Sequence, residues 1–136
     1  MAWYNQFEQD GLIEEEWLGG WDDSYRLRGK SSYNNILYWQ ALREASWLLS
    51  QLGEEEKGRV YEVKAEELRE RILSSFWDEE KGYLIRNISQ REERMTQFTS
   101  AANLLAICWG LVTEEEALRI LRFMDQQELS QPPTRA

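Results

Sequence analysis

Side chains able to do chemistry are unevenly stocked in this chain. It has no histidine and one cysteine. Without histidine there is no Ser-His or Cys-His pair, and the commonest zinc ligand sets are gone. Acid and base work must fall to Asp, Glu, Tyr or Lys. Asp22 and Asp23 precede Ser24 in a stretch that also holds Trp17 and Trp21. Taken alone, Asp-Asp-Ser is ordinary turn chemistry, and tryptophans serve cores as readily as binding faces. Glu14-Glu15-Glu16 reads as a solvated charge run. Arg28 and Lys30 either contact a ligand or offset the acidic surface; for Lys30 the expectation is surface charge. Cys108 is expected to be a small buried hydrophobe.

The 136 residues include 16 basic and 25 acidic side chains, for a formal net charge of −9. That balance argues against nucleic acid or an anionic membrane as partner, since both repel it. No apolar run approaches the ~20 residues of a membrane span, and Met1 to Asp10 does not look like a signal peptide. A lone cysteine fits a reducing compartment, so a cytoplasmic location is expected. No metal or cofactor is expected.

The elements that must position any site are helical. Residues 1–32 keep no period and hold three of the seven tryptophans; an irregular segment of this length is usually functional or disordered, and its aromatics disfavour disorder. From Tyr33 onward, Tyr38, Ala41, Leu42, Ala45, Leu48, Leu49 and Leu52 recur at helical steps, predicting a helix over 34–52 with Ser31, Ser32 or Asn34 as cap and Gly53 as stop. Tyr61, Ala65, Leu68, Ile72 and Phe76 predict a second over 54–76, antiparallel to the first. Residues 78–82 read as a turn and 83–85 as a short extended piece. Ala101 to Trp109 is apolar almost all round and so should be buried on every side. Thr113 to Glu116 has the form of a capping box opening a fourth helix over 114–126, with Ala117, Leu118, Leu121 and Met124 inward. Trp47 and Trp109 are expected in the core. The fold class expected is therefore all-α: about four helices in antiparallel hairpins (33–126), an aromatic segment (1–32) and a tail (127–136). The all-apolar third helix predicts a homo-oligomer or a partner in the remainder of a larger domain.

Several stretches stand in a familiar order. Trp17-Leu18-Gly19-Gly20-Trp21-Asp22-Asp23-Ser24 fits W-x-x-G-x-D-[DN]-S, and Asn35 to Leu42 fits N-x-L-x-x-x-A-L. Leu52-Gly53, Tyr61 and Ala65 follow, and Phe76-Trp77-Asp78 to Gly82-Tyr83-Leu84 completes the series. Over 17–125 the chain resembles the six-hairpin (α/α)6-barrel glycoside hydrolases, of the glycogen-debranching glucosidase, processing α-glucosidase and mannosylglycerate hydrolase type. The resemblance implies a partial (α/α)6 toroid and a carbohydrate substrate with α-linked sugars. It places Asp22 on the catalytic general acid. Trp17, Trp21 and Trp39 would form an apolar wall that raises a carboxyl pKa and stacks on a sugar ring. Arg28 and Asn35 would touch substrate, although Asn34 and Asn35 could equally cap the helix. Gln97 and Asn103 would face the cleft, or Asn103 would satisfy a backbone group.

An inverting glycosidase needs a second carboxyl ~6.5–9.5 Å from the first to activate water. In the family that base lies much later, beyond this chain, and Leu18 stands where many members have Glu. A full toroid also needs twelve helices. The expectation is a catalytic-domain fragment, inactive alone. The competing class is a helical-repeat interaction module without activity, disfavoured because no clean 34-residue period is visible and residues 1–32 have no place in it.

Overall fold

The computed structural model describes residues 8–15 and 28–127. Among them are six strands, β1 (Glu8–Gln9), β2 (Leu12–Ile13), β3 (Lys30–Ser31), β4 (Trp77–Asp78), β5 (Tyr83–Ile88) and β6 (Arg94–Phe98). Four helices accompany them: α1 (Ser32–Gln51), α2 (Glu55–Phe76), α3 (Ser100–Cys108) and α4 (Glu114–Gln126). Ser31 caps α1, its Oγ accepting from Asn34 N at 3.3 Å. Thr113 and Glu116 form the expected capping box at α4. None of the helices described is long and apolar enough to cross a membrane.

The all-α expectation is corrected by the sheet. β5 is its centre, pairing antiparallel with β3, β4 and β6. Residues 83–88 are buried on both faces except Arg86, so they lack the polar alternation that would announce a strand. Arg94 to Phe98 does alternate, but weakly and on a largely exposed edge.

Two copies of one module build the molecule. In the first, β1 pairs with β2 in the register Glu8↔Ile13, then α1 and α2 follow. In the second, β4 pairs with β5 in the register Trp77↔Leu84, then α3 and α4 follow. Each strand pair turns at a left-handed glycine, Gly11 (φ 76) or Gly82 (φ 74). Each glycine lies under an arginine of its module's second helix: a Cβ would meet Arg71 Nε at 3.3 Å in one and Arg119 Nε at 3.1 Å in the other. Each strand pair also offers an acid to that helix, Glu8 to Lys64 and Glu79 to Arg119.

The fourth residue of each first helix is a buried asparagine that pins the strand. Asn35 Oδ1 accepts from Ile13 N at 2.8 Å, while its Nδ2 donates to Ile13 O at 3.1 Å and Ser31 O at 2.8 Å. Asn103 repeats this on Leu84 N and O, both at 2.9 Å, and on Thr99 O at 3.0 Å. Burying an amide costs free energy unless its hydrogen bonds are met; here both asparagines meet them by closing a backbone pair.

The modules share a core of Ile36, Leu42, Ile72, Phe76, Leu84, Ile85, Leu111 and Ile120. Arg43 donates to Trp109 O at 2.9 Å and Arg69 to Leu111 O at 3.0 Å, stitching the α3–α4 connection to the first hairpin. The first helix of the second module has only 9 residues against 20 in the first, about 14 Å against about 30 Å. The C-terminal half of α1 therefore outruns its neighbour. Trp47, expected in the core, is 58% exposed for this reason, and Leu48 and Leu52 are also exposed. Helix α3 is not buried all round either: Leu104 and Cys108 reach the surface. On α4 the inward face is Ile120 with Phe123 and Met124, while Leu118 and Leu121 point out.

Candidate functional site

The segment that carries the sequence candidates leaves the scaffold at Glu15 and returns at Gly29. These residues form an antiparallel bridge, Glu15 N to Gly29 O at 2.9 Å and Gly29 N to Glu15 O at 3.0 Å. Glycine is required at the return. A Cβ at Gly29 would lie 2.2 Å from Ile88 O, and φ is +114°. The clasp thus rests directly on the β5 backbone, beside the first turn of α1.

Asp22, Trp17 and Trp21 lie between the clasp ends, outside the described residues. Arg28 is exposed at the returning end. Asn35 is fully buried and its amide is spent on the backbone pins described above. Trp39 is buried too, with the Arg43 guanidinium 4.7 Å from its ring centre. It lines a shallow groove with Trp47, Glu62 and Glu66 on the α1–α2 face. Asn103 holds Leu84, so the backbone role foreseen for it is the one seen. Gln97 is exposed on β6.

Two groups escaped the sequence reading. Glu15, taken as part of a solvated run, is half-buried, and burial pushes its carboxyl up to about 7. One oxygen accepts from Asn34 Nδ2; the other, Oε2, is buried with no partner among the described residues. A carboxyl near neutrality beside a cleft is how acid catalysts are tuned, and equally how a structural carboxyl is left when its solvent is removed. Lys30, taken as surface charge, is 5% exposed. It pairs with Asp10 at 3.5 Å and Glu92 at 3.1 Å. Burial pulls its ammonium down, but the Glu92 hydrogen bond and the charges of Glu92, Asp10 and Glu14 outweigh that and hold it above its ordinary value. Asp10 and Glu92 both sit at left-handed turn positions, so a single buried cation ties two turns to the returning strand of the clasp.

Helix hairpins joined through short strands, with a segment whose ends are clasped at the start of a first helix, fit part of an (α/α)6 glycosidase-like domain. The trehalase family model matches residues 32–133, and the chain belongs to that family. The matched span begins after Asp22. Among curated proteins, the N,N'-diacetylchitobiose phosphorylase of Vibrio proteolyticus is 28% identical over 120 residues, covering 81% of this chain. The chain spans only 15% of that enzyme's length. A solved GH78 family rhamnosidase from Bacillus sp. GL1 shares the fold, with a TM-score of 0.71 and 23% identity over 98% of this chain and 14% of the rhamnosidase. The chain is thus glycosidase-related, and that coarse class displaces the helical-repeat alternative.

Proposed function

We propose that this chain contributes the general acid, Asp22, to a glycosidase site that cleaves α-linked sugars with inversion. The observation that carries the proposal is the Glu15–Gly29 clasp, which fixes both ends of the Asp22 segment at the start of α1. Asp22 protonates the leaving oxygen, and Trp17 and Trp21 supply apolar surface for the sugar ring; Trp39, expected beside them, is a core residue at 3% exposure. The second carboxyl, which deprotonates water on the opposite face, comes from polypeptide beyond residues 1–136. So do the surfaces that cover Leu48, Leu52 and Val60 on one hairpin and Leu104, Leu118 and Leu121 on the other, all exposed here. The site works in the cytoplasm, the compartment a lone cysteine fits.

The test is turnover. The purified 136-residue chain is expected to hydrolyse no α-glucoside. In a complete domain carrying these residues, Asp22→Asn should lower kcat by ~10²–10⁴-fold, the usual worth of general acid catalysis, with sugar affinity largely kept. Asp23→Asn should do much less. Equal, small effects from both changes would overturn the assignment.

A further inference from the structure

Among the described residues, two that are not glycine have a left-handed backbone, Asp10 (φ 53) and Glu92 (φ 59). Such positions are uncommon for a residue with a Cβ and persist where their surroundings hold them. Asp10 lies in the β1–β2 turn of the first module and Glu92 in the β5–β6 turn of the second. Both turns send a carboxylate to one atom, Lys30 Nζ, Asp10 from 3.5 Å and Glu92 from 3.1 Å. The acid side chains are 76% and 69% exposed, whereas that of Lys30 is 6% exposed. Water can solvate either acid without the lysine, but a buried ammonium depends on such partners. Lys30 pairs with Ile88 across the sheet, and its neighbour Gly29 packs on Ile88 O and the Ser89 backbone. The turn that Glu92 occupies therefore starts at the floor of the clasp. β3 itself is two residues long, so its few hydrogen bonds to β5 give the returning chain little hold.

We infer that Lys30 is a positioning residue: it draws the Asp10 and Glu92 turns onto β3 and so holds the returning end of the segment that carries Asp22. The inference rests on the assignment of Asp22 above and adds the group that steadies it. Lys30 does not itself meet substrate, because its ammonium is enclosed and faces two carboxylates. Its action passes through the backbone, from β3 to the Glu15–Gly29 bridge beside it. A displacement of about 1 Å at a catalytic group can cost about a hundredfold in rate, so a small loosening of the bridge is enough to be read.

The first test reads the clasp in the 136-residue chain by amide hydrogen exchange. The reference is the Leu84 amide, which the Asn103 pin protects. In Lys30→Met and in Glu92→Gln, the Glu15 and Gly29 amides should exchange about tenfold faster relative to that reference, the factor of one lost charge-assisted hydrogen bond. Lys30→Arg keeps the charge and should restore most of the protection. Glu92 is largely exposed, so Glu92→Gln serves if Lys30→Met fails to fold. The second test is turnover by a complete domain carrying these residues. Lys30→Met should slow an alkyl α-glucoside about tenfold more than α-glucosyl fluoride, whose far better leaving group needs little help from an acid. Unchanged exchange at the clasp, equal acceleration at Leu84, or equal loss on the two substrates would overturn the inference. The assignment of Asp22 is read separately, from Asp22→Asn with the alkyl glucoside.

Discussion

The two modules share a strand pair, a glycine turn under an arginine and an asparagine pin, yet they differ in how the chain passes from strand to helix. The second module makes the passage with regular structure: β5 runs on, turns through Ser89–Glu93 and returns as β6 into α3. In the first, the described residues show the Glu15–Gly29 bridge and the two residues of β3 before α1 begins. At this passage stand the half-buried carboxyl of Glu15 and the buried ammonium of Lys30. The copies thus differ where the proposed Asp22 segment joins the scaffold, and binding and catalytic residues are often carried on segments that rigid elements position.

The sharpest way to break the comparison is Gly29→Ala, at a position with no counterpart in the second module. The added Cβ would overlap Ile88 O. The expected loss is about 4 kcal/mol, a range reached only by a specific structural conflict. Urea unfolding measures it; a loss below ~1 kcal/mol would mean that the clasp does not close as described. The pins come next. Replacing Asn103 by Leu strands the buried N–H and C=O of Leu84, worth about 1–3 kcal/mol each, so about 3 kcal/mol is expected. Asn35→Leu should cost less, about 2 kcal/mol, because the two-residue β1–β2 pair can lift toward water while central β5 cannot. If Asn35→Leu were neutral in the same urea series, the modules would not be held by the same device.

The smallest effect is a slope with pH. Glu15 holds its proton to about 7 in the folded chain against an ordinary 4.5. The folded state therefore binds more protons than the unfolded one between those values, and stability falls as pH rises through that window, then levels off. With solvent reaching the half-exposed carboxyl, the drop should be about 1 kcal/mol. Melting temperatures of wild type and Glu15→Gln from pH 4 to 8 should differ in slope between about 4.5 and 7 and run parallel outside that window; identical slopes throughout would remove Glu15 from consideration as a perturbed acid.

Helices were legible because their periods and caps are local: Ser31, Gly53 and the Thr113 box each act within a few residues. The sheet was not, because β5 is apolar on both faces and β1 and β2 are two residues each, set by a pin from Asn35 more than twenty positions away. The repeat left a trace that helical period counting missed, Gly11-Leu12-Ile13 with Ser31 and Asn35-Ile36-Leu37 against Gly82-Tyr83-Leu84 with Thr99 and Asn103-Leu104-Leu105. Asp22 was singled out through family likeness alone and lies outside the described residues. Glu15 was hidden in an acidic run, since its partners Gly29 and Asn34 are tied to it by no local pattern.

The Glu15–Gly29 bridge has a practical meaning as a splice junction. Polypeptide enters and leaves the scaffold through adjacent residues, so the framework does not register how much chain lies between them. Closing a loop twice as long adds only about 0.6 kcal/mol. Segments of other lengths could be exchanged at these two residues while the pinned strands and helices stay as they are, which makes the clasp a graft site.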